Sequence, residues 1–122
     1  MIDIPKARPT STVVLLRDID NGMETLMLKR NKALRFAGGL WVSPGGALEE
    51  SDNASADGDI VVAARIAAAR EAEEECGLIP DTKNMVHLSH RTTPVVEPKR
   101  FEAWIYAAPL AGDADVAIDG RE

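Results

Sequence analysis

Apolar positions fall into short separated runs at the start of the chain, one long helical stretch in the middle and an alternating segment near the end. Residues 1–10, with two prolines and two basic side chains, read as an irregular lead-in. Val13-Val14-Leu15-Leu16 is rich in strand formers, Asp20-Asn21-Gly22 is a turn signal, and Leu26-Met27-Leu28 follows. The two runs therefore predict a β-hairpin. Lys29 to Gly39 is basic and loop-like, and Leu40-Trp41-Val42 is a strand candidate stopped by Pro44-Gly45-Gly46. The acidic, polar stretch 47–59 reads as a loop. Met85–Ser89 and Phe101–Ala107 are the later strand candidates, joined by a proline-containing loop over 93–99. In the second of them Phe101, Ala103 and Ile105 face one side, and Glu102, Trp104 and Tyr106 the other. Gly112 to Glu122 is acidic and turn-rich, with Val116 and Ile118 able to begin a further strand, so the chain reads as C-terminally truncated.

The middle stretch, Ile60 to Cys76, is full of alanine, the best helix former. Asp59 supplies an N-cap, Gly77 a stop, and Pro80 prevents continuation. Val62, Ile66, Ala69 and Cys76 recur at roughly helical spacing and predict the buried stripe.

Composition narrows the class. A chain of 122 residues builds one modest domain, and 45% hydrophobic with 28% charged residues is the balance of a globular protein. A net charge of −6 argues against a nucleic-acid or anionic-membrane binder, which shows a basic face. One cysteine excludes an internal disulfide and fits a reducing compartment. With no signal-like N-terminus and no apolar run of membrane-spanning length, the expected location is the cytoplasm.

Chemistry concentrates in Arg70-Glu71-Ala72-Glu73-Glu74-Glu75-Cys76-Gly77-Leu78. Glu71, Glu74 and Glu75 stand at i, i+3 and i+4, on one helical face, where like charges repel. A hard divalent cation turns that repulsion into a binding site. Glu73 falls off the pattern and reads as exposed. The stretch resembles the second half of the Nudix box, G-x5-E-x7-R-E-U-x-E-E-x-G-U, where U is a bulky apolar residue. Arg70, Glu71, Glu74, Glu75, Gly77 and Leu78 fall in register, with Ala72 small at the first U, and Gly46 of Pro44-Gly45-Gly46 resembles the opening glycine. At the family's next glutamate this chain has Asp52. Arg70 follows it by eighteen positions where the family has eight, so ten extra residues lie between about Asn53 and Val62, and they leave the place of Asp52 open.

The resemblance to Nudix hydrolases implies an α/β fold, an α/β/α sandwich around a mixed β-sheet, in a single domain over residues 1–122. It implies Mg²⁺ or Mn²⁺ held by Glu71, Glu74, Glu75 and the Gly46 carbonyl, with Arg70 pairing with Glu74 to hold a ligand carboxylate. The implied reaction is hydrolysis of the pyrophosphate linkage in a small-molecule nucleoside diphosphate derivative. Family members often dimerise, so a homodimer is allowed. A general base outside the box would be Glu97 or Glu102. Gly45 and Gly46 allow close backbone approach to a ligand. Lys29, Arg30, Lys32 and Arg35 form a basic cluster suited to phosphates, as do Lys99 and Arg100. Leu26, Arg30, Arg35, Gly39 and Pro44-Gly45-Gly46 are spaced as in coenzyme A-hydrolysing Nudix enzymes, which points to coenzyme A or acyl-coenzyme A. The alternatives are ADP-ribose, dinucleotides or modified nucleotides, or a Nudix-like domain that binds a nucleotide without cleaving it. His87 and His90, three apart in a strand, are expected on opposite faces and make a poor metal pair. Trp41, Trp104 and Tyr106 read as packing residues, and Cys76 as a small core residue.

Overall fold

The computed structural model describes residues 4–29 and 39–110. Arg30, Lys32, Arg35, Val116 and Ile118 lie outside these residues. The fold is built on a mixed sheet. A long first strand, β1 (Arg8–Ile19), turns at Asp20-Asn21 into β2 (Gly22–Thr25), its antiparallel neighbour. The hairpin is thus present, but its return strand starts at Gly22, and Leu28 instead opens β3 (Leu28–Lys29), which pairs with β4 (Trp41–Val42). Next come β5 (Gly45–Ala47), α1 (Glu50–Ser55), α2 (Ile60–Cys76), a 3₁₀ turn (Thr82–Asn84), β6 (Val86–Thr92) and β7 (Phe101–Pro109). The five-stranded sheet runs β2-β1-β7-β6 with β5 also on β1. The β1–β7 pair is parallel and the others antiparallel.

Three sequence expectations are corrected here. The lead-in already belongs to β1 from Arg8, because its alternation continues into Ser11, Val13 and Leu15, all fully buried. β4 does stop at Val42, but after a bend at Pro44 the two glycines enter a strand rather than a loop: Ser11 pairs with Gly46 and Thr12 with Gly45. A Cβ on Gly45 would lie 2.4 Å from the Ser11 carbonyl oxygen, so only glycine lets β5 approach β1 this closely. The acidic loop contains a helix, α1, closed by a reciprocal capping box between Glu49 and Asp52.

The core lies between α2 and one face of the sheet. Asp59 caps α2 by accepting from the Val61 and Val62 N–H groups, and Gly77 ends it at φ 71°. Of the expected stripe Cys76 is fully buried and Ala69 packs partly against the core, but Val62 is exposed, and the helix packs chiefly through Ala63, Ala64, Ala67, Ala68 and Ala72. The reason is volume. Trp104 and Tyr106 fill the facing sheet, so the helix must contribute small side chains to reach interior density. Tyr106 crosses the layer, and its hydroxyl donates to the Val61 carbonyl at 2.7 Å. A bulge between His87 and Ser89 overturns the expected alternation of the histidines. Both face the same side, His87 against Tyr106 and His90 stacked on Trp104 with ring centroids 4.6 Å apart. Trp104 and Tyr106 are core residues as expected, and Trp41 is exposed. No described helix is long and apolar enough to cross a membrane.

Candidate active site

The last two turns of α2 lie over β5, and Arg70 is the hub where they meet. Its guanidinium grips Asp52 with a two-pronged contact, Nε to Oδ1 at 3.2 Å and Nη2 to Oδ2 at 3.0 Å. Nη1 reaches Glu71 at 2.9 Å and Glu74 at 3.2 Å, and Nη2 also donates to the Ala47 carbonyl at 3.2 Å. Glu49 adds a fourth carboxylate at 3.4 Å. The expected Arg70–Glu74 pair is present, but the principal partner is Asp52.

Asp52 is therefore not carried away by the insertion. It is 2% exposed and also accepts the Glu49 N–H at 2.8 Å. Burial alone would raise its pKa; the Arg70 bonds and charge, with the Glu49 N–H, outweigh burial and hold it below the usual carboxylate range. The Arg70 pKa is raised, first by its bond to Asp52.

Glu71 behaves oppositely. Burial is the main cause that raises its pKa, the Glu74 charge adds to it, and bonds from Arg70 and Glu75 oppose it. Its carboxylate lies against Gly46, where a Cβ would come within 2.7 Å of Cδ and Oε1. Glu75 is 5% exposed and accepts the Gly45 N–H at 3.0 Å. Glu71, Glu75, Gly45 and Gly46 are thus brought together, with Glu74 on the Arg70 side. Glu73 is exposed. Among the described residues no three acidic, His or Cys side chains converge as a finished cage, because Arg70 and the Gly45 N–H hold the carboxylates instead. The donor set nevertheless suits a hard cation. It consists of carboxylate oxygens beside a glycine whose missing side chain leaves the approach open, and one carboxylate is destabilised by burial and by a like charge.

A cleft of about 640 Å³ opens beside these groups. Gly45, Gly46 and Glu75 line one end and Thr10, Thr12, Phe101 and Ala103 the floor, and Arg8, Arg91 and Thr93 are among the other lining residues. Ser11 also lines it, fully buried, its Oγ with no partner among the described residues. The other sequence candidates fall outside. Glu97 is exposed on the loop after β6, its N–H donating to the Pro94 carbonyl, and it does not line the cleft. Glu102 is bonded to His90 at 2.8 Å, and the Arg100 guanidinium is turned to the Thr93 and Pro5 carbonyls. Sequence reasoning missed Ser11, Arg8 and Arg91. The alternating burial along β1 places Ser11 inward and Arg8 on the cleft face, but the sequence, apolar throughout Val13-Val14-Leu15-Leu16, carries no matching alternation.

The fold has counterparts among solved structures. The structure is similar to a NUDIX hydrolase from Alicyclobacillus acidocaldarius, with a TM-score of 0.86 at 21% identity over 98% of this chain and 77% of that one. It is also similar to the NUDIX domain of Shewanella oneidensis NrtR complexed with ADP ribose, with a TM-score of 0.67 at 18% identity over 93% and 71%. The T. brucei MERS1–GDP complex gives a TM-score of 0.72 at 20% identity over 95% of this chain and 37% of that one. No curated protein matches the sequence. The family model for the NUDIX domain matches residues 7–118, and the chain belongs to the Nudix hydrolase family.

Proposed function

We propose that this protein hydrolyses the pyrophosphate linkage of a nucleoside diphosphate derivative in a divalent-cation-dependent reaction. The observation that carries the reading is the approach of Glu71 to Gly46 and of Glu75 to the Gly45 N–H, with Arg70 tying Glu74 to Glu71, beside a cleft large enough for a nucleotide. Glu71, Glu74, Glu75 and the Gly46 carbonyl would hold Mg²⁺ or Mn²⁺. When bound, the cation supplies charge stabilisation at a phosphoryl oxygen and a more acidic water. Arg70 fixes the direction of Glu71 and Glu74 while anchored to Asp52, and the Gly45 N–H fixes Glu75. Glu97 is the candidate general base, on the loop that leaves the cleft at Thr93, since Glu102 is already engaged by His90.

Coenzyme A or acyl-coenzyme A is the leading substrate, on the sequence spacing of Arg30 and Arg35 before Gly45-Gly46. ADP-ribose, dinucleotides and modified nucleotides are the rivals within the same chemistry. A second reading, nucleotide binding without cleavage, draws on the similar structures solved in complex with ADP ribose and GDP. All three glutamates are present here, which favours catalysis. The buried single cysteine, Cys76, is compatible with a cytoplasmic protein.

The test is incubation of coenzyme A, ADP-ribose, dinucleotides and nucleoside triphosphates with the protein and Mg²⁺, with products resolved by chromatography. Cleavage between the two phosphates of at least one diphosphate, lost on Glu74→Gln or Glu75→Gln substitution, is expected. Undiminished Mg²⁺-dependent turnover in both variants would refute the metal-site assignment. Binding with no turnover of any member would transfer the function to the non-cleaving reading. For coenzyme A the products are 3′,5′-ADP and 4′-phosphopantetheine.

A further inference from the structure

The cleft has a second charged end. Arg8 on β1 pairs with Phe101, and Arg91 on β6 pairs with Ala103, so both arginines stand on the cleft face of the sheet, on either side of β7. The strand order places β6 three spacings from β5, so Arg91 lies roughly 14 Å across the sheet from the glycine–glutamate end. Among the described residues neither arginine has an ion-pair partner, in a chain whose net charge is −6. Arg91 is steadied by the Ser89 hydroxyl, which accepts from its Nε at 3.0 Å and leaves the two terminal nitrogens for other use. Between them Phe101 and Ala103 offer an apolar floor, edged by the hydroxyls of Thr10 and Thr93.

A ring on that floor with its own anionic group would meet two planar cationic forks, the geometry that matches phosphate oxygens. Arg100, a nearby cation, is turned to backbone carbonyls and takes no part. We infer that Arg8 and Arg91 form a remote phosphate clamp, selecting diphosphate substrates whose nucleoside portion bears an additional phosphate ester. The inference rests on the diphosphate reading of the site for the orientation of the substrate, and it names the substrate feature that reading leaves open.

The test compares ligands that differ by one phosphate, coenzyme A against dephospho-coenzyme A and NADP against NAD, titrated calorimetrically into chelated, metal-free protein. The phosphorylated member of at least one pair should bind about tenfold or more tightly, as expected for charge-assisted hydrogen bonds. The two pairs separate a 3′- from a 2′-phosphate. In Arg8→Ala/Arg91→Ala the ratio should collapse toward one, and in Arg91→Gln it should fall part of the way. Circular dichroism establishes that each variant is folded, and the single variant decides the matter if the double variant is not. Equal affinity within both pairs, no binding of any ligand, or a preference that survives in the folded variants would overturn the clamp. Because no turnover is required, these results stand apart from the hydrolysis assay, whose failure would be seen as absent Mg²⁺-dependent cleavage.

Discussion

Replacing Asp52 with asparagine should unfasten the site and the fold together. The carboxylate is 2% exposed and accepts at both oxygens, Oδ1 from Arg70 Nε and Oδ2 from Arg70 Nη2 and the Glu49 N–H. Asparagine fills the same volume, but whichever way its amide turns, an NH₂ group faces at least one of those donors. Removing one member of a buried ion pair costs about 3–5 kcal/mol, and Arg70 is 19% exposed, so partial hydration lowers the expected loss to about 2–4 kcal/mol. With a urea slope of about 1.5 kcal/mol/M, the unfolding midpoint should fall by about 1.3–2.7 M. The loss should depend on pH in a definite direction. The Asp52 pKa is lowered in the folded protein, so its contribution is fully present above the unfolded carboxylate pKa, near 4, and disappears as pH falls through the lower folded value. Wild type and variant should therefore converge in strong acid. Arg70 also orients Glu71 and Glu74, so the apparent Mg²⁺ affinity in turnover assays should weaken about 10- to 100-fold. A midpoint shift corresponding to less than about 1 kcal/mol at pH 7 would refute the buried-pair reasoning. Unchanged Mg²⁺ dependence in a destabilised variant would separate Arg70 from ligand positioning.

Three further outcomes follow from the same geometry. The two adjacent glycines should respond differently to alanine. In Gly45→Ala the new methyl meets the Ser11 backbone oxygen at 2.4 Å and should cost about 1–3 kcal/mol in chemical denaturation. In Gly46→Ala the methyl meets the Glu71 carboxylate at 2.7 Å, so Mg²⁺-dependent turnover should fall at least tenfold while stability changes less. The Glu71 pKa is raised by burial, so metal-free wild type should gain stability as pH falls from 7 through that value; Glu71→Gln should be at least as stable in thermal melts, yet inactive and no longer stabilised by Mg²⁺. Tyr106→Phe, which leaves the Val61 carbonyl without its 2.7 Å donor, should cost about 1 kcal/mol in the same melts and leave Mg²⁺ dependence unaltered.

The parts legible in the sequence were those set by local rules. The Asp59 cap, the Gly77 stop and the spacing of Glu71, Glu74 and Glu75 all follow from helical geometry, and all three stand in the structure. The helix's buried face was not legible, because alanine was read for its helix propensity. Its role as the small partner of Trp104 and Tyr106 depends on which strand lies opposite. The β5 strand was missed for a similar reason: Pro-Gly-Gly is a local turn signal, and only pairing with β1, more than thirty residues away, makes it extended. The two histidines were misplaced by a single bulged residue, which no local pattern announces. The cleft is non-local throughout. Arg8 and Arg91 share one face of the sheet only because β7 joins their strands.

The ten extra residues after Asp52 show how a site withstands an insertion in the middle of its motif. Lengthening a loop costs little in closure entropy, about 0.6 kcal/mol per doubling, provided that its ends remain where they were. Here both ends are fixed by strong local contacts. The Glu49–Asp52 capping box anchors the start, and the Asp59 cap anchors the second helix. The added residues become the end of α1, a turn containing Asp57 at φ 50° and Gly58 at φ 85°, and the opening turn of α2. Because α1 packs against α2, Asp52 returns to Arg70 although eighteen positions separate them. The contact between the acidic residue and the arginine therefore does not depend on their spacing. What the fold keeps is a buried carboxylate on one side of the guanidinium, with the other side bonded to Glu71 and Glu74. Shortening the insertion while preserving both caps should leave Mg²⁺-dependent turnover intact, whereas removing the Glu49–Asp52 box at full length should not. Equal loss in both would mean that the inserted residues themselves form part of the site.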